Sequence, residues 1–379
     1  MGLALANILP SDWQKGTFLG RVQTAHGPSP VLIRAGELFD LSDRAASVAS
    51  VIERGLHKDA SLANGIRLDP SAPELPDGMS LLSPVDLQCI KAAGVTFAVS
   101  AVERVIEERA RGDLNAAAEI RANLEHRIGS GIRSVVPGTE EAAALKAVLI
   151  AEGMWSQYLE VAIGPDAEVF TKCPVLASVG YGAEVGVRSD SSWNNPEPEI
   201  AVAVNSKGEI VGAMLGNDVN LRDFEGRSAL LLGKAKDNNA SCSLGPFIRL
   251  FDGDFGLDDV RTAEVSMSVV GTDQFRLEGQ SRMTEISRDP AELVRQSMSQ
   301  HQYPDGFVLF LGTLFAPTQD RDVPGQGFTH KPGDEVTIQS PRFGVLTNRV
   351  VHCSDAEPWT IGIRAFVQNL AARNLIDKL

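Results

Sequence analysis

The chain has 379 residues, of which 43% are hydrophobic, and a formal net charge of -14 at pH 7. Its length exceeds one typical domain, and its apolar content is sufficient for a large core. The acidic balance, without any Lys/Arg-rich run, argues against a nucleic-acid partner, because nucleic-acid-binding surfaces are usually basic.

The sequence gives no sign of a secretory or membrane segment. The N-terminal stretch "MGLALANILPSDWQKG" lacks a basic region before its apolar residues and lacks a clear cleavage site. The most apolar later run, "GFVLFLGTLFAP", is shorter than the ~20 residues of a spanning helix. The cysteines are widely spaced, as is typical of thiols in a reducing compartment; they are Cys89, Cys173, Cys242 and Cys353. We therefore expect a cytoplasmic protein.

Four prolines in residues 68–84 predict a domain boundary, because proline disfavours helices and central strands. Before this boundary, "GTFLGRV" and "SPVLIRAGELFDLS" are typical of short strands, and "AASVASVIERG" is typical of a helix. The sequence thus predicts a small N-terminal α+β domain at 1–80 and a larger domain at 81–379.

In the larger domain, residues 100–126 have helical spacing and are predicted to form two helices, broken near Gly112. In residues 160–350 the sequence pattern instead predicts β-strands separated by turns that contain Gly and Pro. The C-terminal stretch "WTIGIRAFVQNLAARNLIDKL" predicts an amphipathic helix that packs on the surface. The fold class expected from this order is α+β.

The stretch "NNPEPEI" places two carboxylates one residue apart, and on a strand Glu197 and Glu199 would share a face. The following runs "IAVAV" and "IVGAMLGND" are separated by "NSKGE", which predicts a β-hairpin. A turn centred near Lys207 pairs positions that sum to about 414, so that Glu197 lies opposite Asn217 and beside Asp218. Three carboxylates then meet at the open end of the hairpin.

Carboxylates clustered without His or Cys suit a hard cation, because such ions prefer oxygen ligands. Two like charges held close together are otherwise unfavourable. The sequence therefore predicts a Mg²⁺ site, with Mn²⁺ or Ca²⁺ as alternatives. A solvated acidic edge of a sheet without any metal remains the other interpretation.

The order of these motifs resembles that of the fumarylacetoacetate hydrolase superfamily. "EPEIAVAV", "LGNDVNLRD" and "LGPF" resemble its E-x-E, N-D-x-S-x-R-D and G-P signatures, and "EVFTKCP", "FLGTLFAP" and "KPGDEV…FGVLTN" resemble further family segments. The resemblance covers residues from about 90 to 352. It implies a roll of mixed, strongly curved β-sheets, a homodimer or homotetramer, and metal ligation by Glu197, Glu199 and Asp218.

The hydrolases of this superfamily carry N-Y-x-x-H-x-x-E, whereas "GVTFAVSAVE" has Phe97, Ser100 and Glu103 at those positions. Serine cannot act as a base near neutral pH without a basic partner, which disfavours carbon–carbon bond hydrolysis. A structural role also fits, because Ser100 and Glu103 ahead of an apolar helix form a capping-box pattern.

The same stretch, with "RSDSSWNNPEPE" and "KAKDNNAS", is more similar to the sugar-acid dehydratases of the superfamily, which act on 2-keto-3-deoxy-pentonates. This implies dehydration of a D-xylonate- or L-arabinonate-derived substrate to 2-oxoglutarate semialdehyde. By that resemblance Lys236 is the expected base, with Lys234 and Lys172 as other candidates, and Glu168 is the expected proton donor. Acylpyruvate hydrolysis and non-catalytic binding of a sugar acid are the alternative functions.

Strand periodicity places Glu168, Phe170 and Lys172 of "EVFTK" on one face, so that an acid and a base could both enter the pocket. A cross-face ion pair without chemistry is the other interpretation.

Four residues are expected to contact the substrate: Thr313, Gly312, Arg188 and Ser100. Thr313 lies in the turn that resembles the family's T-G-T-P segment, where it would hold the substrate carboxylate. Arg188 would bind an anionic substrate or one of the nearby acids. Arg222 and Asp223 match the family's R-D pair, which braces the metal loop.

Overall fold

The structure is a computed structural model that describes most of the chain. The described residues are 7–59, 61–62, 65–69, 75, 78–111, 113, 116–117, 120, 135–324 and 326–379, without the side chains of 98 and 99. The helix break predicted at Gly112 and most of the helix predicted after it lie outside these residues.

The described strands and helices agree with a mixed α+β fold. The strands are β1 Thr17–Thr24, β2 Gly27–Arg34, β3 Glu37–Asp40, β4 Ile66–Arg67, β5 Ser80–Leu81, β6 Cys89–Gly94, β7 Glu168–Cys173, β8 Glu184–Val187, β9 Asn194–Asn195, β10 Pro198–Val204, β11 Ile210–Asp218, β12 Asn220–Leu221, β13 Cys242–Leu250, β14 Glu264–Val270, β15 Arg276–Arg282, β16 Phe307–Phe310, β17 Glu335–Ser340 and β18 Gly344–His352. The helices are α1 Val48–Glu53, α2 Ala98–Arg109, α3 Glu140–Ala151, α4 Gln157–Ile163, α5 Arg222–Glu225, α6 Leu232–Lys236, α7 Leu257–Arg261, α8 Pro290–Met298 and α9 Ile363–Ala372.

The larger sheet has the order β4-β3-β2-β1-β13-β11-β10-β16-β6-β7, with β5 paired to β1. Its neighbours are antiparallel except for the parallel pair β16 and β6. The second sheet has the order β15-β14-β17-β18-β8, and β9 and β12 form a separate pair. These mixed sheets confirm the predicted fold class.

The N-terminal strands extend the larger sheet, because β1 pairs with β13 through Phe18 with Arg249 and Leu19 with Ile248. The hydrogen-bonded sheet is therefore continuous across the boundary predicted near residue 80. The division of the chain into domains 1–80 and 81–379 stays a prediction.

Strand β10 lies within the larger sheet, between β11 and β16, and is buried on both faces. Ile200 and Val202 belong to an apolar cluster shared with the second sheet, whereas Ala201 and Ala203 belong to a cluster shared with N-terminal residues. Burial on both sides explains why "IAVAV" is continuously apolar instead of alternating. The strand thereby brings its N-terminal end, with the two glutamates, to the edge of a rigid core.

The C-terminal helix α9 packs on the surface through Phe366 and Leu370, as its amphipathic pattern predicts. None of the helices in the described part of the chain combines the length and apolar character that a membrane crossing needs.

Candidate metal centre and active site

The three carboxylates of Glu197, Glu199 and Asp218 converge at the open end of the β10–β11 hairpin. Each offers an oxygen that lies within 4.8 Å of the others. Their exposed fractions are only 1%, 1% and 2%. The interpretation as a solvated acidic edge is therefore wrong, because these groups are removed from solvent.

The hairpin register is close to the predicted one. Val204 pairs with Ile210, which satisfies the predicted sum of 414, but a β-bulge between Ala203 and Val204 shifts the remaining pairs by one position. Pro198, and not Glu197, is thus opposite Asn217. The side-chain oxygen of Asn217 still accepts the Glu197 backbone N–H at 3.1 Å, which fixes the start of the acidic stretch.

Glu199 is held by the turn after β16. The backbone N–H of Gly312 donates to its Oε2 at 2.8 Å, and the Thr313 hydroxyl donates to its Oε1 at 3.1 Å. Burial, followed by the nearby charges of Asp218 and Glu197, raises the pKa of Glu199. The structure thus places both turn residues against a carboxylate of the triad, and their contact with substrate stays a prediction.

Two lysine side chains reach the triad from different elements. Lys236, at the end of α6, donates to Glu197 and lies 3.0 Å from Oδ2 of Asp218. Lys172, in β7, lies 2.6 Å from Oδ1 of Asp218, and it also donates to the carbonyl oxygens of Val219 at 3.1 Å and Lys236 at 2.5 Å. Lys234 instead lies over the Phe224 ring, 5.1 Å from its centroid.

The electrostatics of Lys236 and Glu197 reflect their mutual contact. Burial disfavours the Lys236 ammonium, but Asp218 and Glu197 outweigh it and raise the pKa of Lys236. Burial likewise disfavours ionised Glu197, yet Lys236 and Arg104 together lower its pKa to about 2. Both groups are charged in this arrangement. A cation bound by the triad would repel the Lys236 ammonium and lower the pKa of Lys236, which stays a prediction.

Arg104, on α2, is a site residue that sequence reasoning missed. Its guanidinium contacts Glu107 at 2.5 Å and Glu225 at 3.1 Å, and it also donates to Glu197. Ser100, Arg104 and Glu107 are all buried although they are polar. Their spacing of four and three residues places them on one helical face, and this polar stripe was the available signal. It is a weak signal, because the same helix is also polar elsewhere, at Glu103, Glu108 and Arg109.

Arg222 connects this cluster to the segment before the glutamates. Its Nε lies 3.3 Å from Glu107 and donates to the side-chain oxygen of Asn195 at 2.9 Å. Its guanidinium also lies over the Trp193 ring, 5.6 Å from the centroid. Asp223 accepts from the Ser191 hydroxyl at 2.8 Å. Both residues of the R-D pair thus contact groups in residues 191–195, shortly before the glutamates.

Glu168 begins β7 on the face that carries Phe170 and Lys172. The Phe170 ring centroid is 5.8 Å from Nζ of Lys236, and Lys172 contacts Asp218, so this face is directed toward the triad as predicted. Burial, followed by repulsion from Glu225, raises the pKa of Glu168 to about 7 despite the opposing charges of Arg104 and Lys236. A carboxyl group with this pKa is protonated in part near neutral pH.

Ser100 has a structural role at the start of α2. Its hydroxyl donates to the Phe97 carbonyl at 2.8 Å and accepts from the Phe97 N–H at 3.3 Å. The predicted capping box was misplaced, because Phe97 is the N-cap and Ser100 is the third helical residue. The hydroxyl satisfies a backbone donor that the helix leaves free.

Arg188 forms two hydrogen bonds with Asp190, at 2.8 and 2.7 Å, and its guanidinium lies 5.3 Å from the Phe224 ring centroid. Arg188 was expected to bind either an anionic substrate or a nearby acid, and the structure shows the contact with the acid Asp190. A contact between Arg188 and substrate stays a prediction.

The donor set at the triad fits a hard divalent cation. It consists of carboxylates alone, it is buried, and it is contributed by both strands at the open end of one hairpin. Two amines contact the triad, and the carboxyl of Glu168, with its raised pKa, interacts electrostatically with Lys236 and Glu197. The arrangement can bind a chelating anion and transfer protons beside it.

Comparison with known proteins gives the family. Residues 127–351 match the fumarylacetoacetate (FAA) hydrolase C-terminal family, so the chain belongs to the fumarylacetoacetate hydrolase family. It is 32% identical over 197 residues to a probable 2-keto-3-deoxyxylonate dehydratase of Haloferax volcanii, over 52% of this chain and 64% of that protein. It is 30% identical over 183 residues to 2-dehydro-3-deoxy-D-arabinonate dehydratase of Saccharolobus solfataricus, over 48% and 58%.

Solved structures share the fold. A 2-keto-3-deoxy-D-arabinonate dehydratase complexed with magnesium and 2,5-dioxopentanoate has a TM-score of 0.63 at 21% identity, over 89% of this chain and 99% of that one. Fumarylacetoacetate hydrolase from Exiguobacterium antarcticum has a TM-score of 0.58 at 16% identity, over 89% and 99%. The sequence matches span less than two thirds of the length of these two curated relatives.

Proposed function

We propose that the protein is a metal-dependent hydro-lyase that converts a 2-keto-3-deoxy-pentonate, derived from D-xylonate or L-arabinonate, to 2-oxoglutarate semialdehyde and water. The observation that carries the proposal is the buried triad of Glu197, Glu199 and Asp218 with both lysines at Asp218. The names of the two curated relatives and the magnesium complex of the structural neighbour support the same substrate class.

Mg²⁺ is the proposed cation, with Mn²⁺ or Ca²⁺ as alternatives, and Glu197, Glu199 and Asp218 would hold it. When bound, the cation supplies Lewis-acid stabilisation of negative charge on a 2-keto acid. Gly312 and Thr313 orient Glu199 through their hydrogen bonds, and Asn217 orients the backbone at Glu197. The protein's own contribution is thus a preset, water-poor arrangement of carboxylates.

Lys236 is the proposed base that accepts a proton from C3 of the substrate, because its amine lies at the triad, where a chelating keto acid would bind. The amine must be neutral to accept a proton, and a cation held by the triad would lower the pKa of Lys236 by repulsion. Lys172 is positioned by two carbonyl oxygens and by Asp218, which suits it to hold Asp218 in place. Lys172 is also the second candidate for the base.

Glu168 is the proposed donor of the proton with which the C4 hydroxyl leaves as water. Its raised pKa of about 7 keeps the carboxyl protonated in part near neutral pH. The C3–H and C4–O bonds break and a C3=C4 double bond forms. This unsaturated alcohol then tautomerises to the C5 aldehyde, so the net change is the loss of one water.

An acylpyruvate hydrolase is the alternative within the family. It would require a base where the hydrolases carry histidine, and the Ser100 hydroxyl is instead engaged with both backbone groups of Phe97. This contact supports the dehydratase proposal over the hydrolase. The homodimer or homotetramer implied by the family resemblance stays a prediction.

The proposal is tested by incubating purified protein and Mg²⁺ with each 2-keto-3-deoxy-pentonate enantiomer and with an acylpyruvate. Mass spectrometry of the products should show loss of one water from at least one enantiomer and no pyruvate release. Efficient pyruvate release without dehydration would overturn the assignment.

A further inference from the structure

Gly94 and Glu168 face each other across two antiparallel strands. They are a direct pair in the ladder between β6 and β7. A Cβ atom built on Gly94 would lie 2.7 Å from Cδ and 3.3 Å from Cγ of Glu168, and closer still to its Oε2. The carboxyl group of Glu168 therefore occupies the space that a side chain at position 94 would fill.

The backbone of Gly94 does not itself require glycine. Gly94 is not among the glycines with positive φ, so an alanine could adopt its conformation without strain. A glycine in a strand often marks a place where another group approaches closely. Here the group that approaches is the Glu168 carboxyl.

The start of β7 is fixed independently of this contact. The N–H of Ala167 donates to the side-chain oxygen of Gln296 at 2.8 Å, and Lys172 anchors the same strand to Asp218. A methyl group at position 94 would consequently be accommodated by movement of the Glu168 side chain rather than of its backbone. That side chain is the flexible partner in the contact.

Displacement would move the Glu168 carboxyl away from the charged groups that now surround it. Glu168 is coupled electrostatically to Glu225, Arg104, Lys236 and Glu197, which surround the proposed reaction centre. Movement by about one ångström is enough to lower a rate ~10²-fold when the group takes part in the chemistry.

We propose that Gly94 is a positioning residue, whose missing side chain gives the Glu168 carboxyl the space from which it reaches the leaving hydroxyl. This inference rests on the proposed function, in which Glu168 donates that proton. Gly94 itself does not touch the reacting atoms.

The experiment is a double-mutant cycle with Gly94→Ala, Glu168→Ala and the combined variant, and with Gly253→Ala as the matched control, since nothing lies within 4 Å of a Cβ at Gly253. We expect Gly94→Ala to lower kcat about 10- to 100-fold, with little change in KM or Mg²⁺ affinity. Exchange of C3 hydrogen in D₂O, which depends on Lys236, should persist. In the Glu168→Ala background, Gly94→Ala should lower neither kcat nor Tm any further.

Three results would overturn the inference: wild-type kcat in Gly94→Ala, an equal loss of kcat in the Glu168→Ala background, or a crystal structure of Gly94→Ala with an unmoved Glu168 carboxyl. If Gly94→Ala fails to fold, recovery of folding in the combined variant supports the inference, and failure to recover it contradicts it. Absence of dehydration by the wild type would refute the proposed function instead, and the crystal structure would still decide the displacement of Glu168.

Discussion

Asp218 and Lys236 are joined by a hydrogen bond of 3.0 Å, although 18 positions separate them in the chain. The other oxygen of Asp218 lies 2.6 Å from Nζ of Lys172. One carboxylate of the triad is thus shared by two amines that come from different elements. Metal binding and proton transfer are therefore expected to depend on the same few atoms.

The triad predicts a strict requirement for a divalent cation. Treatment with EDTA should abolish dehydration, and Mg²⁺ or Mn²⁺ should restore it. Glu199→Gln should lower the affinity for Mg²⁺ because it removes one charged ligand. Calorimetric titration with Mg²⁺ measures this affinity. Glu264→Gln is the control, since Glu264 lies in an exposed ion pair with Arg282 on the second sheet. Full activity of metal-stripped protein would contradict this prediction.

Removal of Arg104 should destabilise the fold. Arg104→Met would leave Glu107, Glu225 and Glu197 buried without a shared cation. Breaking such a buried pair typically costs ~3–5 kcal/mol, so the free energy of unfolding in urea should fall by about that amount. Arg109→Met on the same helix should change it by less than ~0.5 kcal/mol, because the Arg109 contact with Gly153 is exposed. Equal stability of the two variants would disprove the role of Arg104.

Ser100→Ala should have a small effect on turnover. Its hydroxyl bonds only to backbone groups of Phe97 in the described contacts, so its loss should lower stability by ~1 kcal/mol and leave most of the dehydratase rate. Thermal unfolding and initial rates measure the two effects. A loss of rate as large as that of a positioned general base would assign Ser100 to the chemistry.

Deprotonation of Glu168 should lower kcat at high pH. Its pKa is raised to about 7, so the carboxyl is protonated below this pH and loses its proton above it. A group that donates a proton acts only in its protonated form, and kcat should therefore decrease as the pH rises through about 7. Glu168→Gln should lower kcat and remove this limb of the profile. Glu160→Gln, in a partly exposed ion pair with Lys146, should retain it. An unchanged limb in Glu168→Gln would assign the titration to another group.

Much of the site was predictable because its parts are local in sequence. Strand alternation places Glu197 beside Glu199, and the short polar turn brings Asp218 to them. The β-bulge at Ala203 and Val204 lies beside Gly212, and a glycine inside a strand often marks a bulge, so a signal was present that the predicted register did not use. The bulge moved the register by one position without separating the carboxylates.

The parts that escaped prediction depend on contacts between distant segments. Arg104 and Glu197 are 93 positions apart, and Gly312 and Glu199 are 113 apart. The pairing of β1 with β13 likewise joins the N-terminal strands to the main sheet. Such contacts are decided by tertiary packing, which local periodicity does not report.

The most direct test of the account is a mass-spectrometric time course in D₂O with Mg²⁺ and a 2-keto-3-deoxy-pentonate. It reports water loss and uptake of deuterium from C3 exchange together, against an enzyme-free control. The account predicts that the wild type forms 2-oxoglutarate semialdehyde labelled with deuterium. It also predicts that Lys236→Met still binds Mg²⁺ but loses both dehydration and C3 exchange by at least ~10²-fold. Dehydration and exchange at the wild-type rate in Lys236→Met, or no water loss from either substrate enantiomer by the wild type, would contradict it.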